Sequence, residues 1–88
     1  MYKYFGKNVI MSDKKTTFQN WVDAKYPFGK RKELAIYAGV RQDVLSRDYR
    51  RANGLEMISK YAKLTGEKSV EFHGFDYGCE ISGTLKIT

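Results

Sequence analysis

Residues 34–47 read LAIYAGVRQDVLSR, an apolar stretch broken at Gly39-Val40 before a polar run begins. A glycine inside a helix costs about 1 kcal/mol relative to alanine, so one placed here is either a defect or a joint. Upstream, Leu34, Ala35 and Ala38 recur at three- and four-residue spacing in a helix beginning near Lys30. Downstream, Val44, Leu45 and Tyr49 form a second such stripe, predicting a helix over about 41–51. Gly39 stands where the first helix needs a left-handed terminal residue, and Val40 follows as an apolar plug. Ala35 is small enough for the second helix to pack closely across the first, with Val40 and Leu45 filling the space beneath. Gly39 therefore reads as a corner between two short helices. The second leaves Arg41, Gln42, Asp43, Ser46, Arg47 and Arg50 on its remaining surface.

Two more helices flank this pair. Thr16-Thr17-Phe18-Gln19 matches a capping box, Phe18, Trp21 and Val22 follow at helical spacing, and Pro27 restricts Tyr26, giving a helix over about 17–25. Asn53 with Glu56 three residues on is a second cap signal. It opens a helix with Leu55, Ile58, Tyr61, Ala62 and Leu64 on its apolar face and Gly66 just past its end. The period then changes. Cys79, Ile81, Leu85 and Ile87 alternate with Glu80, Ser82, Thr84 and Lys86, as a half-buried strand requires. Val70, Phe72 and Phe75 make a shorter strand before the turn Asp76-Tyr77-Gly78, so the C-terminal part is a β-hairpin. Tyr2, Tyr4, Phe5, Val9 and Ile10 are strand formers, and an N-terminal strand over 1–11 is expected that could join the hairpin.

Eighty-eight residues suffice for one modest core, and 42% hydrophobic with 30% charged residues argues against disorder throughout. No apolar run approaches the roughly 20 residues of a membrane span, and Met1-Tyr2-Lys3-Tyr4-Phe5 lacks the apolar region of a signal peptide. One cysteine precludes an internal disulfide and suits a reducing cytoplasm, where the chain is expected to reside. The net charge of +6 is concentrated: residues 25–51 hold eight basic and three acidic side chains, whereas residues 52–88 hold four and five. Such a concentration points to a polyanion-facing surface; the plainer alternative is a solvated basic face that maintains solubility.

Catalytic readings are weaker. A lone histidine, His73, and a lone cysteine, Cys79, cannot assemble a zinc site or a Cys–His nucleophile pair within one chain. His73 is expected at the surface or in packing, and Cys79 as a small hydrophobe on the apolar face of its strand. Asp43 and Asp48 lie five residues apart on different helix faces, and Gly74, Gly78 and Gly83 punctuate a hairpin rather than cradle a phosphate. Trp21 and the tyrosines suit core and interface positions. No enzyme, cofactor or metal is expected.

The succession of helix, Ala35-x-x-x-Gly39-Val40 and polar-faced helix, with Gln42 two residues past Val40, resembles the helix-turn-helix of the Cro and phage-repressor (XRE-like) family. With the flanking helices the resemblance covers about residues 16–66. It implies a four-helix core built on a helix-turn-helix over about 16–66; with the C-terminal β-hairpin read from the alternation over about 69–87, the expected fold is α+β in one domain. It also implies that the 41–51 helix enters the DNA major groove with its N-terminal half toward the bases. Arg41, Gln42, Asp43, Ser46 and Arg47 would face base edges or adjacent phosphates, Gln42 suiting adenine and Arg47 guanine. Lys30, Arg31 and Lys32, at the start of the preceding helix, would hold a phosphate with the helix dipole. Arg50 and Arg51 would add backbone contacts. Asp43 has the alternative role of stabilising the N-terminal dipole of its own helix. Asp48 departs from the family pattern, standing where an apolar residue is usually buried, with Tyr49 one position on. The helix is thus expected to end early or to turn so that Tyr49 docks.

A reader of this size normally dimerises, and the hairpin offers an edge for a second copy through Val70, Phe72, Ile81, Leu85 and Ile87. The expected function is sequence-specific binding of a palindromic double-stranded operator, as a small Cro-like transcriptional repressor of phage or mobile-element type. The alternative is a small phage or plasmid protein that uses a helix-turn-helix scaffold to bind and inhibit or adapt a host protein. An antitoxin repressing its own operon fits the first reading equally well.

Overall fold

A computed structural model describes residues 14–27 and 29–87. Four helices, α1 (Thr17–Lys25), α2 (Arg31–Ala38), α3 (Gln42–Tyr49) and α4 (Gly54–Leu64), precede a hairpin of β1 (Ser69–Asp76) and β2 (Cys79–Lys86). The fold is α+β, as the change of hydrophobic period requires.

Each junction has a local cause. Ahead of α1, Thr16 Oγ1 accepts from the Gln19 amide while Gln19 Oε1 accepts from the Thr16 amide, both at 3.0 Å, completing the capping box. α2 stops at Gly39, whose φ of +74° is left-handed, and the next amide, Val40 N–H, donates back to Ala35 C=O at 3.0 Å. α3 spans Gln42–Tyr49, shorter than the helix expected over about 41–51, because Arg41 is already extended and Arg50 leaves the helical ladder. Across the hairpin, Asp76 pairs with Cys79 and Ser69 with Lys86. Tyr77 (φ +52°) and Gly78 (φ +83°) form a two-residue turn whose twist suits antiparallel strands.

The start of α4 differs from the sequence expectation. Asn53 occupies the cap position but its side chain makes no cap hydrogen bond, and its buried Oδ1 has no partner. The hairpin supplies the cap instead: Leu55 N–H donates to Asp76 Oδ1 at 3.1 Å, and Tyr77 N–H donates to Ala52 C=O at 2.8 Å. A carboxylate arriving from another element satisfies a helix terminus as well as a local one.

Phe18, Val22, Leu34, Ile58, Tyr61 and Ala62 are fully buried at the meeting of α1, α2 and α4, with Trp21, Ala35, Leu45, Met57 and Val70 closing around them. The hairpin lays its Val70–Phe72–Leu85 face on this cluster. Cys79 is exposed rather than a core hydrophobe: it opens β2 beside the turn, where the alternation still runs but burial does not follow it. His73 is exposed on the other face. The N-terminal strand expected over 1–11 lies outside the described residues. Just downstream, Lys15 and Thr16 run parallel to β1, with a bridge from Thr16 to Phe75 and a 3.0 Å bond from Phe75 N–H to Lys15 C=O.

Candidate nucleic-acid interface

α3 carries its apolar stripe on one side only. Leu45 and Asp48 are buried and Val44 half-buried, which leaves Arg41, Gln42, Asp43, Ser46 and Arg47 exposed. At the start of α2, no side chain caps the helix and both Lys30 and Lys32 are exposed. The two elements adjoin: Arg31 and Lys32 from α2 and Gln42, Leu45, Ser46 and Tyr49 from α3 line one cleft. Arg50 and Arg51 are exposed just beyond α3.

Two carboxylates that the motif does not call for hold α3 in place. Asp23 of α1 accepts from Lys15 Nζ at 2.7 Å, from Arg31 Nη2 at 2.9 Å and from the Tyr49 hydroxyl at 3.0 and 3.1 Å. The Arg31 guanidinium also lies over the Tyr49 ring, 4.0 Å from its centroid. Burial pushes the Asp23 carboxyl up, but its hydrogen bonds from Lys15, Tyr49 and Arg31 outweigh this and hold it below the usual carboxylate range. One acid thus pins the ends of three helices. Arg31, expected to meet a phosphate, is partly committed to this tie, and its buried Nε has no partner.

Asp48 settles the question raised by its position. Its side chain is 3% exposed, accepts from the Tyr61 hydroxyl at 2.8 Å and from Lys60 Nζ at 3.0 Å, and lies 3.7 Å from Arg47 Nε. Burial again pushes the carboxyl up, and the bonds from Tyr61 and Lys60 bring it below its ordinary value. The position expected to be apolar thus holds a buried carboxylate of α3, bonded through Oδ2 to Tyr61 and Lys60 of α4. Tyr49 docks as well, onto Arg31 and Asp23, so α3 both ends early and is fixed by two consecutive side chains. Nothing in the sequence pairs Asp48 with Tyr61; only the unusual acid within an apolar register marks the site.

Asp43 is gripped by Arg41 through Nε at 3.0 Å and Nη2 at 2.6 Å. That hydrogen bond, then the nearby Arg41 charge and the first amides of α3, hold Asp43 below its ordinary pKa. Both of its expected roles therefore involve the start of α3. Among the hairpin residues expected at a dimer edge, Val70 is buried in this chain's own core, while Phe72, Ile81, Leu85 and Ile87 are half-buried.

No protein-family model, curated protein or solved structure matches the chain. Among the described residues no helix is long and apolar enough to cross a membrane, and no three His, Cys, Asp or Glu side chains group to hold a metal ion.

Proposed function

We propose that the chain is a cytoplasmic, sequence-specific binder of double-stranded DNA, acting as a small Cro-like transcriptional repressor of phage or mobile-element type on a palindromic operator. The observation that carries this reading is the shared cleft, with the uncapped start of α2 on one wall and the exposed face of α3 on the other. Backbone amides, the helix dipole and Lys30 and Lys32 suit a phosphate, while Gln42, Ser46 and Arg47 suit the base edges beside it. Arg41 and Asp43, locked to each other, define the end of α3 that would lead into the groove. The excess of basic side chains over residues 25–51 supplies the long-range attraction.

The test is binding to duplexes from the DNA flanking the chain's own gene, measured by fluorescence anisotropy over a salt series. Affinity should fall steeply with salt. Gln42→Ala and Arg47→Ala should each lose about 1–3 kcal/mol of discrimination between operator and random duplex. Lys30→Ala should weaken binding to all sequences alike. If none of the three alters binding to any duplex, the reading is wrong.

The alternative, a protein that binds and inhibits or adapts a host protein, draws on a different observation. Ile36 and Tyr37, adjacent on α2, are 67% and 63% exposed. A salt-insensitive complex with a protein, lost on Ile36→Asp, would favour it.

A further inference from the structure

The two edges of the hairpin are unequal. On the outer side of β1, Phe75 N–H is bonded to Lys15 C=O and His73 C=O accepts from Asn20 Nδ2 at 2.8 Å. The outer side of β2 pairs with nothing among the described residues. Its eight residues are a template for another strand.

The register says which groups it offers. Asp76 and Cys79 flank a two-residue turn and are a hydrogen-bonded pair, so Cys79, Ile81, Gly83 and Leu85 exchange their bonds with β1. Ile87 N–H, donating to Lys68 C=O at 2.9 Å, continues that phase. Glu80, Ser82, Thr84 and Lys86 therefore turn their N–H and C=O groups outward, and all four side chains are exposed.

Those residues are arranged symmetrically about Gly83 in the segment CEISGTLKI. Reading outward from Gly83, Ser82 is matched by Thr84, Ile81 by Leu85, Glu80 by Lys86 and Cys79 by Ile87. We propose that β2 pairs antiparallel with β2 of a second copy about a two-fold axis at Gly83. The phase agrees: Glu80 meets Lys86 of the second copy and Ser82 meets its Thr84, and each such pair exchanges two N–H···O bonds. Opposite charges then face each other at both ends, and hydroxyls near the centre. On the helix-facing side, Ile81 lies against Leu85 of the second copy in the closer, non-hydrogen-bonded spacing. The two Gly83 residues meet at the axis without side chains, each backed by a Phe72 ring 3.2 Å from where a Cβ would be. A register shifted by two residues keeps the bonding phase but moves Glu80 from Lys86 to Thr84.

This pairing deepens the operator-binding reading by naming the surface that joins the two copies, and it is measured without DNA, so either can fail alone. One strand pair is small beside the roughly 1,200 Å² that marks a standard interface, so a micromolar association is expected. Sedimentation velocity on the full chain, from about 1 to 500 µM, should show a reversible monomer–dimer equilibrium. Glu80→Lys and Lys86→Glu each place like charges opposite at two symmetry-related positions and should weaken the dimer about tenfold. The double swap E80K/K86E should restore it to near the parent value. Thr84→Pro removes one outward N–H while keeping every β1–β2 bond, and should leave a folded monomer by circular dichroism. A chain monomeric at every concentration overturns the proposal, whether its own N-terminal segment or nothing covers the edge. So does a dimer that Thr84→Pro leaves intact, or a double swap no better than the single ones.

Discussion

The buried carboxylate of Asp48 gives the sharpest test of how α3 is held. It accepts from the Tyr61 hydroxyl and from Lys60, at 2.8 and 3.0 Å, in a site otherwise closed to water. In Tyr61→Phe the carboxylate loses a hydrogen bond to a charged group, worth about 1.5–3 kcal/mol. In Asp48→Leu the Tyr61 hydroxyl is stranded without an acceptor, at about 1–3 kcal/mol, while Lys60 returns to solvent. In the double variant neither polar group remains, and stability should return to within about 1 kcal/mol of the parent. With each single variant costing about 2 kcal/mol and the double within about 1, the cycle should show coupling of about 3–4 kcal/mol. In a domain of this size each kcal/mol moves Tm by about 4–8 °C, so the single variants should melt roughly 8–16 °C lower. Urea and thermal melts followed by circular dichroism measure all four corners. The pH dependence adds a second readout. Because the folded carboxyl lies below its unfolded value, near 3.9, its contribution is complete above that value and is lost as pH falls through the folded one. The stability difference between parent and double variant should change in that acid window and be constant from pH 5 to 8. Additive single variants with no acid dependence would refute the account.

Four further tests follow from the junctions. Gly39→Ala meets no atom within 4 Å, so its cost should be conformational alone, about 1–2 kcal/mol for a left-handed alanine. Gly54→Ala, whose Cβ would sit 2.5 Å from Thr17 Oγ1 and 3.0 Å from the Phe18 amide, should cost more in the same urea melts. Asp76→Ala should lose about 1 kcal/mol by uncapping α4, whereas Asn53→Ala, whose side chain makes no cap bond, should lose less; equal losses would restore Asn53 as the cap. Tyr49 is raised by burial and by its bond to Asp23, so its contribution is present below the ordinary phenol value, near 10, and fades as pH rises beyond it; Tyr49→Phe should flatten that part of the alkaline melt profile.

Features with a local cause were legible in the sequence. The capping box at Thr16, the corner at Gly39 and the turn within Asp76-Tyr77-Gly78 each act within a few residues, and their chemistry can be read from neighbours in the chain. The alternation of the last strand placed Ile81 and Leu85 on one face for the same reason. What escaped is long-range pairing of polar groups. Asn53 looks like a cap, yet the task falls to Asp76 on the hairpin, 21 positions from the Leu55 amide that donates to it. Asp23 gives no signal of its own because its partners, Lys15, Arg31 and Tyr49, come from three separate segments. Cys79 obeys the alternation but lies past the end of the core, a boundary that period alone cannot mark. The outward placement of Gln42, Ser46 and Arg47 was legible because exposure follows from helical phase. The partial diversion of Arg31 into the helix tie was not, since basic residues at a helix start look alike before folding.

The separation of tasks along α3 has an evolutionary consequence. Its buried positions, Leu45, Asp48 and the docked Tyr49, are secured by α1, α2 and α4, whereas Gln42, Asp43, Ser46 and Arg47 face outward. Of these four, only Arg47 reaches toward a buried group, at 3.7 Å. Substitutions among them can accumulate with little effect on folding; under the proposed operator-binding role, a lineage carrying this chain could exchange one target for another within a few point mutations.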